Sequence, residues 1–157
     1  MNEQEIFDKV EAHLIKQKVQ AAVVFVAKTQ CQYRTPEGHM CAFGIFIPDE
    51  VYTPEIEGFG CNDLFQAARD PKRQLRRVAQ DPIIMPENLA QHLSSLIHVG
   101  PAHARLYSAL QGVHDARPLV TDALHKEWAK GLALVAEDFE LKPFDQNQFL
   151  ARISEQP

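Results

Sequence analysis

The chain has 157 residues, a formal net charge of −5, and 45% hydrophobic and 24% charged residues. That length suits one domain with a real core, and the acidic balance argues against wholesale binding to nucleic acid or to an anionic membrane. Three cysteines do not make a disulfide framework, so free thiols in a cytoplasmic setting are expected.

The N-terminus, MNEQEIFDKVEAHLIKQK, is charged throughout and resembles neither a signal peptide nor a membrane span. Ile6, Phe7, Val10, Leu14 and Ile15 recur at helical spacing and predict a helix over about 3–18. AAVVFVA, at 21–27, is the longest apolar run and falls far short of the roughly twenty residues of a membrane span. Its β-branched and aromatic residues predict strand, although Ala21 and Ala22 can also prolong the helix.

Thr35-Pro36-Glu37-Gly38 reads as a turn, with Gly38 available for a positive φ. HMCAFGIFI resumes as strand, so a β-hairpin is expected from about 30 to 47. With Gly38 as a bulge, Thr35 opposes His39, Tyr33 opposes Cys41 and Cys31 opposes Phe43. Alternation then puts Cys31, Tyr33, His39, Cys41 and Phe43 on one face.

Pro54 after Thr53 marks a short helical turn. Asn62 or Asp63 can cap a helix through Leu64, Phe65 and Ala68 that runs on towards Val78, interrupted at Pro71. Pro86 opens a helix with Leu89, Leu93, Leu96 and Ile97, stopped at Gly100. Pro101 opens another, with Leu106, Leu110 and Val113 on one stripe. A last long helix is expected over about 122–137, carrying Leu124, Trp128, Leu132 and Val135. These stripes are core. The fold class is α+β: a mostly helical single domain, 1–157, with one small antiparallel sheet near 21–47.

The block CQYRTPEGHMCAFGIFIPDEVYTPEIEG, residues 31–58, resembles a pattern of small uncharacterised proteins of bacteria and their phages. That pattern is C-x-Y-R, a Gly turn, C-A-x-G-x-x-I-P-D and a terminal E-G. It is carried here by Cys31, Tyr33, Arg34, Gly38, Cys41, Ala42, Gly44, Ile47, Pro48, Asp49, Glu57 and Gly58. Leu110 to Asp115, LQGVHD, is similar to a later L-Q-x-x-H-D element of the same proteins. The resemblance implies a bacterial or phage origin and no particular activity. AAVVFVAK is more apolar than the polar linker expected before the first cysteine.

Four groups of residues invite chemistry. Cys31, His39, Cys41 and Cys61 make a Cys3His set suited to zinc, or His39 can deprotonate Cys41 as a nucleophile. Without a Cys-x-x-Cys knuckle, small thiols filling a tight contact are the preferred reading, and Cys31 and Cys41, about 7 Å apart at the backbone as diagonal neighbours, are at a separation long for a disulfide. The acids Asp49, Glu50, Glu55 and Glu57 can bind a divalent cation or share acid–base work, but acids also favour helix starts for electrostatic reasons alone.

Residues 69–77 carry Arg69, Lys72, Arg73, Arg76 and Arg77 against Asp70, a local charge of +4 that leaves −9 for the rest of the chain. On a helix four of these arginines share one side, forming a patch for phosphate or an acidic partner. No aromatics interleave to stack on bases, and a solvated helix face is the competing account. His114-Asp115 matches part of a metal-dependent phosphohydrolase set, yet the spacing of His98, His103 and His125 fits no such pattern. A histidine near a helix C-terminus explains it better. Gly-rich phosphate loops, dinucleotide motifs and nucleophile elbows are absent.

The reading is therefore an accessory protein that binds a protein partner through the basic helix 69–77 and the acidic loop 49–57, without turnover. The alternatives are a zinc-binding or Cys/His-based enzyme module and, less favoured, nucleic-acid binding by the basic helix. No other cofactor and no membrane partner is expected.

Overall fold

The computed structural model describes residues 1–155 except 26–27, 71, 77–81, 98–100 and 117–120; for residues 23–25, 28–31 and 101 it describes the backbone only. Among the described residues there are six α-helices and two two-stranded antiparallel ladders, so the chain is a mostly helical α+β fold.

Helix α1, Glu3–Gln17, begins where expected because Asn2 and Glu5 cap each other: Glu5 N–H donates to Asn2 Oδ1 at 2.9 Å and Asn2 N–H donates to Glu5 Oε2 at 2.7 Å. It stops at Lys18, whose φ of 62° turns its N–H back onto Leu14 O. Strands β1, Ala22–Phe25, and β2, Lys28–Cys31, pair antiparallel from Ala22↔Cys31 to Phe25↔Lys28. Cys31 therefore opposes Ala22 and not Phe43. The hairpin lies closer to the N-terminus than expected.

The 35–38 turn forms with the expected register. Gly38 N–H donates to Thr35 O, Thr35 N–H to His39 O and Cys41 N–H to Tyr33 O, with Arg34 bridging Met40 and Gly38 at φ +88°. The strand predicted through residue 47, however, is reduced to the single bridge at Met40 and the Cys41 N–H bond to Tyr33 O. The next backbone donors are claimed by side chains: Phe43 N–H by Gln111 Oε1 at 2.9 Å and Gly44 N–H by Cys41 Sγ at 3.2 Å. The chain turns instead into a 3-10 helix, Gly44–Phe46. Gly44 lies so close beneath Tyr33 that a Cβ there would sit 2.1 Å from the Tyr33 carbonyl oxygen. A second 3-10 helix, Pro54–Ile56, follows Thr53 as predicted.

Helix α2, Cys61–Arg69, ends before the basic segment. Asp70 is extended, at φ −126° and ψ 95°, because a residue preceding proline disfavours helix. The predicted basic helix is thus corrected. Arg73 N–H closes a turn onto Asp70 O, and β3, Gln74–Leu75, pairs antiparallel with β4, Ile83–Ile84. Arg77 and the predicted extension to Val78 lie outside the described residues. Helices α3, Glu87–Ile97, α4, Pro101–His114, and α5, Thr121–Asp138, match their stripes, while the predicted stop at Gly100 lies outside the described residues. Helix α6, Gln146–Glu155, was not anticipated; it buries only two apolar residues, Phe149 and Ile153, and Asp145, which accepts the N–H groups of Asn147 and Gln148, was its available signal.

Helix α4 is the hub, packing against α1, α2, α3 and α5. Its Tyr107 meets Phe43, Phe46 and Phe65 at ring-centroid distances of 4.9–5.7 Å, and burial raises the Tyr107 pKa to about 12. Among the described residues, no helix is long and apolar enough to cross a membrane.

Candidate functional site

The motif block folds into a clamp built on Glu57 and Arg34. Glu57 accepts the Tyr33 N–H at 2.8 Å, the Arg34 N–H at 3.0 Å and the Tyr52 hydroxyl at 2.8 Å. The Arg34 guanidinium lies over the Tyr52 ring, pairs with Asp49 and donates to Ile47 O. Burial, together with the Glu57 carboxylate, raises the Tyr52 pKa. Asp49 and Glu57, two of the four acids expected on a partner-facing loop, therefore hold the loop itself together. Glu50 and Glu55 are exposed, and Glu55 accepts the Thr53 hydroxyl.

Tyr33 and Cys41 are buried on the same side, as register predicts, and Cys61 joins them from the first turn of α2. With Gln111 and Asp115 they line a cavity of about 80 Å³. Burial, with Cys61 and then Cys41 beside it, pushes the Tyr33 hydroxyl pKa up, and that hydroxyl donates to Phe59 O at 2.6 Å. His39 does not come to this cavity. It lines a separate cleft with His13, Lys16 and Gln17 of α1. The Cys31 side chain lies outside the described residues. Among the described residues, no group of three or more His, Cys, Asp or Glu side chains is placed to hold a metal ion.

Several histidines, buried or half-buried, link distant segments. His114 is fully buried against Trp128; its Nε2 accepts the Ala21 N–H at 3.1 Å, so Nδ1 carries the proton and donates to Asp115 Oδ1 at 2.9 Å. His13, His92, His103 and His125 each donate from Nε2 to a backbone carbonyl, of Met40, Phe46, Met1 and Lys18 respectively. His98 lies outside the described residues. The role of Gln111 was not foreseen: it accepts the Phe43 N–H and donates to Asp115 at 2.7 Å, tying the loop to α4.

The basic segment forms a different surface. Arg69, Lys72, Arg73 and Arg76 are all exposed, and among the described residues Arg69, Lys72 and Arg73 make no ion pair. Beside them runs a groove of about 640 Å³ between α2, β4 and α3, lined by Ala67, Ala68, Ile84, Met85 and Ala90. Ile84 is 65% exposed and stands opposite Gln74, the residue after Arg73, on the β3–β4 ladder. The far wall carries Glu87, hydrogen-bonded to Gln91.

Compared with known proteins, the chain matches no family model, no curated protein and no solved structure.

Proposed function

We propose that the protein works by binding a partner protein, and that the groove between α2, β4 and α3 takes an amphipathic segment of that partner with acidic residues beside its apolar ones. The observation that carries this reading is the conjunction of Arg69, Lys72 and Arg73, unpaired among the described residues, with the exposed Ile84 at the groove wall. Unpaired cations at an interface rim steer an acidic partner and suppress basic ones, while the apolar floor supplies affinity. The acidic loop contributes less than its charge suggests, because Asp49 and Glu57 are engaged internally.

A protein partner fits better than nucleic acid. Among the described residues the exposed large hydrophobics are Met1, Val19, Ile84 and Leu134, so no exposed aromatic accompanies the arginines for base stacking.

The test is affinity capture with the wild-type chain, identification of the partner and measurement with the purified pair. Arg69→Glu with Arg73→Glu, and separately Ile84→Asp, should each weaken that binding at least about tenfold while circular dichroism stays unchanged. Equal binding by all three proteins, or captured material that nuclease removes, overturns the reading.

A further inference from the structure

The end of α1 and the segment after the Thr35–Gly38 turn are joined at one residue. His13 Nε2 and Gln17 Nε2 both donate to Met40 O, at 2.8 and 2.9 Å, and Met40 N–H donates to Gln17 Oε1 at 2.8 Å. Around this link lies a cleft of about 500 Å³, lined by His13, Lys16 and Gln17 from α1 and by His39, Met40 and Ile45 from the loop. Its size suits a small molecule. Three hydrogen bonds tie one wall to the other, so the cleft is shaped before any ligand arrives.

The cleft is cationic in a chain of net charge −5, and among the described residues no carboxylate lines it. Lys16 is exposed and forms no ion pair among the described residues. His39 donates its backbone N–H to Thr35 Oγ1, while its ring makes no hydrogen bond among the described residues. Lys16 stands in the last turn of α1, where a cation also offsets the carbonyl end of the helix. That end carries about half a negative charge, which Lys16 alone exceeds, and Lys9 adds to the positive field at His13. His13 has a different part. Its Nε2 gives its proton to Met40 O, so Nδ1 presents a lone pair. Burial lowers the His13 pKa against the Met40 carbonyl, and His114, Lys16 and Lys9 lower it further, which keeps the ring neutral.

We propose that this cleft binds a small phosphate monoester that carries a hydroxyl group. The Lys16 ammonium and the His39 ring take the phosphate oxygens, His13 Nδ1 accepts the hydroxyl proton, and Met40 with the half-buried Ile45 meets the carbon skeleton. Phosphate fits better than carboxylate. Its three terminal oxygens point in different directions and suit a compact ammonium beside a separate imidazole donor. A carboxylate is matched best by the planar fork of arginine, and no arginine lines the cleft among the described residues. The cleft shares no lining residue with the groove between α2, β4 and α3, so this inference is independent of the partner-binding reading.

The experiment titrates the full, isotope-labelled chain at fixed ionic strength and follows backbone amide shifts by NMR. The probes are glycerol phosphate, ribose phosphate and adenosine monophosphate, each beside its unphosphorylated parent, and inorganic phosphate. At least one ester should shift the amides of Gln17, His39 and Met40 to saturation. It should bind at least about tenfold more tightly than its parent and than inorganic phosphate. Lys16→Gln and His39→Ala should each weaken that ester at least about fivefold, while Lys126→Gln, which removes the same charge outside the cleft, changes it by less than about twofold. Thermal midpoints equal to that of the wild type establish that each variant is folded. No saturable shift at these amides with any ester, inorganic phosphate binding as tightly as the esters, or equal weakening by Lys126→Gln overturns the proposal.

Discussion

Glu57 receives the backbone N–H of Tyr33 at 2.8 Å across 24 residues of sequence, and the next N–H, of Arg34, with its other oxygen. One carboxylate thus satisfies two successive backbone donors in the segment between β2 and the Thr35–Gly38 turn. Removing it leaves both partly buried N–H groups unpaired, a more costly outcome than losing a surface contact. Glu57→Ala should destabilise the fold by about 2–3 kcal/mol, and Glu57→Gln by less because one acceptor remains. Urea denaturation of the three proteins measures this; an effect within error for Glu57→Ala would mean that solvent replaces the carboxylate.

Gly44 and Gly112 make opposite predictions. A Cβ at Gly44 would lie 2.1 Å from the Tyr33 carbonyl oxygen, a backbone atom that cannot swing aside, whereas at Gly112, inside α4, it would meet nothing within 4 Å. Gly44→Ala should cost about 2–4 kcal/mol through forced backbone displacement. Gly112→Ala should stabilise by about 0.5–1 kcal/mol, because alanine loses less backbone entropy on becoming helical. Thermal midpoints moving in the same direction would contradict the packing described here.

Much of this was legible in the sequence where chemistry acts locally. The apolar stripes of α1 and of α3 to α5 and the Thr35–Gly38 turn with its register each depend on a few adjacent residues. The misreadings have a common cause in side chains that act from far away. Nothing near HMCAFGIFI announces that Gln111, 68 residues on, takes the Phe43 N–H and ends the strand. The basic segment misled for a more local reason: the helix was read as running on past residue 71, when it ends at Arg69 and strand begins at Gln74. For the candidate site, register placed Tyr33 and Cys41 together, but a periodicity argument cannot show that His39 diverges or that Cys61 converges.

His13 should make stability sensitive to mild acid. Burial lowers its pKa from the ordinary 6.5, partly offset by the Met40 carbonyl, which favours the cation, and reinforced by His114, Lys16 and Lys9. The unfolded chain therefore binds a proton first as pH falls through 6.5, and stability present above that value is lost towards the lower folded pKa. Glu11 acts in the opposite sense, since burial raises its carboxyl above 4.5, against the pull of Arg152, and its contribution fades as pH rises through that raised value. Urea midpoints at pH 7.5 and 5.5 should show a loss in the wild type that is smaller in His13→Gln, whose amide can still donate to Met40 O. An equal loss in both would assign the pH dependence to other groups.

The basic surface separates folding from function. Arg69, Lys72 and Arg73 are exposed and form no ion pair among the described residues, so neutralising them removes no ion pair seen there. Arg69→Gln with Arg73→Gln should therefore leave stability within about 0.5 kcal/mol of the wild type. Rim charges act mainly on encounter, so the same pair should slow association with an acidic partner and flatten its dependence on ionic strength, while dissociation changes little. Ile84→Ser should do the reverse, shortening the lifetime of the complex with the salt dependence intact, since an apolar anchor in a groove is felt after docking. Association and dissociation rates at two salt concentrations test both at once. If the arginine pair acts on dissociation alone, these cations are not steering groups, and if it also lowers the unfolding midpoint, they belong to the fold after all.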